Sequence, residues 1–467
     1  MKSHIQIFIL SLNLIFALNS SGAGFELKVK LPSVANGEVI LTHYYASNIL
    51  VYDTIRLDAG GNGILARDTL LPQGIYKIYL NQDNHFDILL GAEQNVSIAS
   101  PDFNQANVKV EGAIESVEFM KYLTWITELQ EKRMALEKKR GESEGEEKAA
   151  IEKQLGELNE QVHAYWKNKY DEYPGSFLGK FLMSNYFREL REENIPDEFK
   201  ANDSLKWVYQ YNYVKNHYFE FYDLTDERML FTPSIKQKLE TYFERVLLQM
   251  YDSVKPAAYE IIQKVEPHPR MYRFVVSHLL NSSLNSKIMG MDALFVDIAK
   301  DYYLSGKASW AEPSTLEKIR ENVLFLENNL VGRNARDFQM ESEKGDPFRL
   351  YQMNAKYTIL VFYEPNCSHC REYVPQLYKE VYLPFRDQGL DVVAVYTMEN
   401  KNEWVEFLEK HQLHEWHNVW DQHHLTRFKI VYDTRTTPSV YLLDKDKKII
   451  AKRFTIDFLK EFLPRNL

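Results

Sequence analysis

The stretch Tyr357–Pro375, YTILVFYEPNCSHCREYVP, constrains this chain more than any other. Its apolar run from Thr358 to Tyr363 reads as a buried strand. The strand enters a short turn and then two cysteines at Cys-x-x-Cys spacing, Cys367 and Cys370. A helix begins at or near the first of them and carries Pro375. These are the only two cysteines in 467 residues, so any thiol chemistry is confined to this turn. The unpaired amides and dipole of a helix N-terminus stabilise thiolate, the nucleophile of disulfide exchange. The second cysteine, one helical turn on, is placed to resolve a mixed disulfide.

A Cys-x-x-Cys pair serves as a redox dithiol, as half of a zinc site, or as a structural bridge. Structural zinc takes four ligands, and no second cysteine pair exists, although His369, His411, His414, His417, His423 and His424 are available. A bridge across two residues closes a tiny loop and stabilises little. The position between a strand and a helix, with β and α segments alternating around it, favours the redox dithiol.

A length of 467 residues leads to an expectation of two to four domains. A net charge of −10 without a strong basic run argues against nucleic acid and anionic lipid as partners. At the N-terminus, Lys2, the apolar run Ile5 to Leu18 and the small residues Ser21-Gly22-Ala23 form the pattern of a cleaved signal peptide, residues 1–23. The expected location is therefore the periplasm, where disulfides form. An uncleaved anchor that keeps the chain at the membrane is the alternative.

Residues 24–112 alternate in short apolar and polar runs, clearest in Phe25 to Leu31, broken by Asn36-Gly37 and Gly60 to Gly63. They predict a small antiparallel β-sandwich with no cluster of catalytic residue types; His43 and His85 stand alone. After Gly112 the composition turns to Glu, Lys, Ala, Leu and Gln, and residues 113–330 predict an α-helical domain. It opens with a charged helical hairpin interrupted at Gly141 to Gly145. Ile288-Met289-Gly290-Met291 reads as flexible core filler rather than as a soft metal site. Residues 331–467 alternate β and α. The pattern predicts an initial strand in Gly332 to Phe338, strands at 358–363, Asp391 to Thr397 and Ser439 to Leu443, and a short extended piece at Lys429 to Tyr432. A hairpin through Asp444 to Lys447 and a closing helix at Asp457 to Leu463 complete a mixed sheet covered on both faces.

The C-terminal region resembles the thioredoxin fold, and within it the exported bacterial thiol-disulfide oxidoreductases of cytochrome maturation and envelope thiol traffic. Cys367-Ser368-His369-Cys370 matches the active-site dithiol, Pro375 the proline that kinks the active-site helix, and Thr437-Pro438 the cis-proline loop that binds substrate. Val361 to Asn366 resembles the family's strand and acidic-proline turn. The order of signal peptide, β-domain, helical domain and thioredoxin module is similar to multidomain members of the bacterial envelope. The resemblance implies catalytic Cys367 and Cys370, modulation by His369, Ser368 and Glu364, substrate binding at Thr437 and Pro438, and no cofactor. Two positions depart from the pattern: the buried acid six residues before the first cysteine is Val361, and the usual Trp before that cysteine is Asn366.

His369 inside the dithiol loop makes the couple more oxidising, whereas Thr437 before Pro438 resembles reductases. The reading taken is an exported oxidoreductase, a reductase ahead of an oxidant. Its expected partners are disulfide- or dithiol-bearing envelope proteins and a membrane or periplasmic redox partner. Two alternatives stand beside it. One is a copper metallochaperone using the dithiol with His411, His414 and His417, which would line one side of a helix. The other is a non-catalytic envelope scaffold.

Overall fold

The computed structural model describes residues 24–467; the expected signal peptide lies outside the described residues. The chain divides into two compact units between Leu239 and Glu240.

Alternation builds the first unit. In β1 (Phe25–Lys30), Phe25, Leu27 and Val29 are buried while Glu26, Lys28 and Lys30 are not. With β2 (Glu38–Tyr45), β3 (Asn48–Arg56), β4 (Asn62–Arg67), β5 (Gly74–Tyr79), β6 (His85–Leu90), β7 (Asn95–Ala99) and β8 (Lys109–Gly112), it forms two four-stranded sheets ordered β4-β1-β7-β8 and β3-β2-β5-β6. Leu27, Val29 and Ile98 of one sheet share a core with Leu41, Ile78 and Ile88 of the other. The pairs are antiparallel, as expected, except β1 with β7, which run parallel. Those two strands are distant in sequence, so no hairpin fixes their direction.

Helices Ile114–Glu142 and Gly145–Glu172 form the charged hairpin. Its base is packed rather than merely charged. Trp125 stacks on Tyr165 with ring centroids 4.3 Å apart, and the Glu118 carboxylate accepts from Lys121 and Lys169 at 2.7 and 2.8 Å. Tertiary packing of this kind, more than helix propensity, is what anchors such helices.

In the second unit, helices Tyr251–Val265, Pro269–Asn285, Met291–Ile298 and Pro313–Leu326 precede a sheet. The sheet contains β9 (Gln339–Ser342), β10 (Pro347–Arg349), β11 (Tyr357–Tyr363), β12 (Leu390–Tyr396), β13 (His417–Trp420), β14 (Ser439–Asp444) and β15 (Ile449–Lys452), in the order β10-β9-β13-β12-β11-β14-β15. The central β11 runs parallel to β12 and antiparallel to β14. Burial on both faces accounts for its unbroken apolar run. Ile359, Val361 and Tyr363 pack with the helices Ser368–Gln376, Lys401–His411 and Ile456–Asn466, while Leu360 and Phe362 pack with Phe338, Phe428 and Tyr432 on the other side. The helices read at 113–330 are thus shared between the two units.

Three local expectations are corrected. Lys429 to Tyr432 is not extended: Phe428–Val431 is a helical turn, which places Phe428 and Tyr432, four apart, in the same core. The initial strand expected in Gly332 to Phe338 starts only at Gln339, and before it a single bridge joins Asn334 to Lys448. The histidines do not share a helix face. The helix ends at His411, Gln412 turns at φ +58, and His417 opens β13.

Lys452, at the end of β15, is buried. Its Nζ donates to the Asn329 backbone oxygen and Oδ1 at 3.0 and 2.9 Å and pairs with the Asp292 carboxylate. Within this unit the helices and the sheet therefore share a buried ionic contact.

Candidate active site

At the C-terminal end of β11 the backbone turns through Glu364-Pro365-Asn366, closed by the Cys367 amide donating to the Glu364 oxygen at 3.1 Å. Cys367 is the N-cap of the helix Ser368–Gln376, and the Arg371 amide donates to its carbonyl at 3.1 Å. This geometry leaves the Cys367 side chain half-buried at the helix mouth and turns Cys370, one turn on, fully inward. Both are unbonded thiols. Beyond Pro375, which lacks an N–H to donate, the helix widens into π geometry at Leu377–Tyr382.

The Thr437–Pro438 peptide is cis. Its loop meets the dithiol directly: the Cys367 thiol donates to the Thr437 carbonyl at 3.2 Å. The environments of the two thiols pull them apart. Partial burial opposes ionisation of Cys367, but hydrogen bonds with the Cys370 side chain and backbone, the Thr437 side chain and the His369 backbone outweigh it, so its pKa is lowered. Burial is the largest influence on Cys370 and pushes it up to about 12. The first thiol is the acidic, accessible one and the second keeps its proton.

Of the other residues singled out in the sequence, Ser368 and His369 are exposed in the first turn of the helix. Glu364 is half-buried, and its Oε1 accepts from the Thr397 hydroxyl, past the end of β12, at 3.4 Å. Val361 sits on the face of β11 beneath the dithiol, and the next residue on that face is Tyr363. The Tyr363 hydroxyl accepts from the Trp404 indole at 3.0 Å, and burial raises its pKa. On this face of β11 the residue after Val361 is thus a buried phenol rather than a carboxylate.

Sequence reasoning missed Tyr363 and Trp404, although period-two spacing from Val361 was the available signal. It also missed Asp433, Arg435 and Arg453, which surround the cis-proline loop. Of the histidines proposed for copper, His414 and His417 lie on separate carboxylates, as does the nearby His424. His414 lies 3.3 Å from Glu343, His417 3.0 Å from Asp391 and His424 3.6 Å from Glu399. Among the described residues no group of three His, Cys, Asp or Glu side chains is arranged to hold a metal ion.

Fold and site together define a thioredoxin-like protein: a central strand delivers a Cys-x-x-Cys pair to a helix N-terminus opposite a cis-proline loop. Residues 331–452 match the model of the AhpC/TSA family. A domain of possible thiol-disulfide isomerase from Cytophaga hutchinsonii is 39% identical, with 29% of this chain and 92% of that one covered, at a TM-score of 0.28. The thioredoxin domain of a thiol-disulfide oxidoreductase from Bacteroides vulgatus is 26% identical over 29% of this chain and 96% of that one, at a TM-score of 0.27. A thioredoxin-like protein from Bacteroides caccae is 18% identical over 60% of this chain and 98% of that one, at a TM-score of 0.48. No curated protein matches. The C-terminal domain is thus thioredoxin-like and carries the AhpC/TSA family match.

Proposed function

We propose that this chain is an exported thiol-disulfide oxidoreductase that reduces disulfides of envelope proteins through Cys367 and Cys370. The observation that carries the reading is the placement of a half-exposed, acidified Cys367 against the Thr437 carbonyl, with a protonated Cys370 buried behind it.

In this mechanism the Cys367 thiolate attacks one sulfur of a substrate disulfide, forming a mixed disulfide and expelling the other sulfur as a thiolate. The substrate backbone lies along Thr437-Pro438 in extended form. Cys370 then attacks the Cys367 sulfur, its proton passing to the departed substrate thiolate. The Cys367–Cys370 disulfide forms, the second substrate sulfur leaves, and two electrons have moved to the substrate. An external dithiol partner restores the reduced pair.

The reductase direction draws support from the groups that acidify Cys367, which are led by neutral hydrogen-bond partners rather than a full positive charge. Moderate thiolate stabilisation leaves the reduced form a ready electron donor. The leader-like N-terminus supports export.

Cys370→Ser in the full chain is expected to trap mixed disulfides through Cys367 in an envelope extract. Wild-type protein is expected to show a midpoint near the thioredoxin value of about −270 mV. A potential near the about −120 mV of strong oxidants reverses the direction. No adduct, together with a Cys367 that alkylates no faster than free cysteine, removes the enzyme reading.

A further inference from the structure

Asp433 opens the loop that leads to Thr437-Pro438, and its side chain is 3% exposed. A carboxylate this deeply buried has to be paired. Both of its oxygens are engaged: Oδ1 accepts from Arg435 Nε at 2.6 Å, and Oδ2 from Arg435 and Arg453 at 3.1 and 2.8 Å. The two arginines lead in different directions. Arg453 follows β15, and its neighbour Phe454 offers a carbonyl to the Tyr373 hydroxyl of the dithiol helix at 3.3 Å. Arg435 reaches back to the helix Pro313–Leu326, donating to Asn322 Oδ1 at 2.9 Å and lying over the Phe325 ring at 4.3 Å.

The supports form a ring. The dithiol helix holds the turn after β15, that turn holds Asp433, Asp433 holds Arg435, and Arg435 is braced on a helix outside the thioredoxin fold. Two residues beyond Arg435, the loop closes on Cys367 through the Thr437 carbonyl. A planar guanidinium that pairs with a carboxylate, donates to an amide and stacks on an aromatic ring is held in one orientation, which Lys cannot reproduce.

We infer that Arg435, fixed by Asp433 and by Asn322 and Phe325 of the Pro313–Leu326 helix, is a positioning residue that sets the substrate-binding edge of the cis-proline loop. The helix is thereby a working part of the oxidoreductase site. This rests on the oxidoreductase reading above. Arg435 touches neither cysteine, so its effect falls mainly on substrates that need the loop. A folded polypeptide docks along Thr437-Pro438, whereas a small disulfide reaches Cys367 without it.

The test uses full-length protein with insulin as polypeptide disulfide and 5,5′-dithiobis(2-nitrobenzoate) as small disulfide. Arg435→Ala is expected to lower kcat/KM for insulin by about tenfold, mainly through KM, and to leave the small-disulfide rate within about twofold of wild type. Arg435→Lys recovers part of the loss, and Asn322→Ala and Phe325→Ala shift the same ratio in the same direction. Amide exchange across residues 434–437, followed by mass spectrometry, is expected to quicken in Arg435→Ala. Equal losses with both disulfides, or no loss with either, overturn the assignment. Unchanged exchange overturns it whatever the activities. A wild-type chain that reacts with neither disulfide sinks the oxidoreductase reading instead, and the exchange measurement still decides the loop.

Discussion

Cys367 and Cys370 are three residues apart, and one helical turn separates water from core. The half-exposed thiol is lowered in pKa, with the Cys370 side chain the leading lowering influence, whereas burial pushes Cys370 up to about 12. Cys370→Ala should therefore raise the Cys367 pKa towards the ordinary value of about 8.5. The check is the pH profile of alkylation. Because thiolate is the reactive form, the wild-type rate should rise with pH through an inflection below that of an ordinary thiol, and in the variant the inflection should move to higher pH. In the wild type Cys370 should stay unalkylated throughout that range. An unmoved inflection would show that Cys370 does not acidify its neighbour. The phenol of Tyr363 in place of a carboxylate fits the same asymmetry. Its raised pKa keeps it protonated, so it is not a base for Cys370.

At the scale of elements, the site rests on β11, the dithiol helix and the helix Lys401–His411. Trp404 joins them. It is 1% exposed, stacks on Tyr396 with ring centroids 5.6 Å apart and donates to Tyr363. Trp404→Ala is expected to cost about 3–5 kcal/mol, read as a lower urea midpoint of the second unit. Trp404→Phe, which keeps most of the volume, should cost less. The strand, the dithiol helix and the Thr437-Pro438 loop were legible in the sequence because each carries a local signature: an apolar run, a Cys pair before Pro375, a Thr-Pro pair. The turn Phe428–Val431 and β13 were not. Lys429 to Tyr432 is too short to show a period, and the three-residue spacing of His411, His414 and His417 imitates a helix that Gln412 has already ended. The Asp433–Arg435–Arg453 ring was illegible for another reason. Its members come from two chain segments and one of its supports from a third, and no local pattern records a contact made only in three dimensions.

For the molecule as a whole, the thioredoxin fold is not set off cleanly from the helices before it. Asp292 and Asn329, on the helical side of the second unit, satisfy Lys452 inside it. Burial lowers the Lys452 pKa and Asp292 counteracts that. Asp292→Ala leaves a buried ammonium without its counter-ion and is expected to destabilise the unit by about 3–5 kcal/mol, measured by urea unfolding. Asp292→Leu combined with Lys452→Met should recover much of that loss. A single variant that unfolds like wild type would show that the pair is not needed.

The central position of β11 also governs when the second unit is able to fold. One of its two neighbours, β14, is made about 80 residues later, and Lys452, which the earlier helices await, comes later still. A chain emerging from a ribosome thus carries an incomplete sheet, with β11 lacking a partner along one edge, until almost its last residues are in place. The second unit therefore closes last, well after the strands of the first, which end at Gly112, have been made.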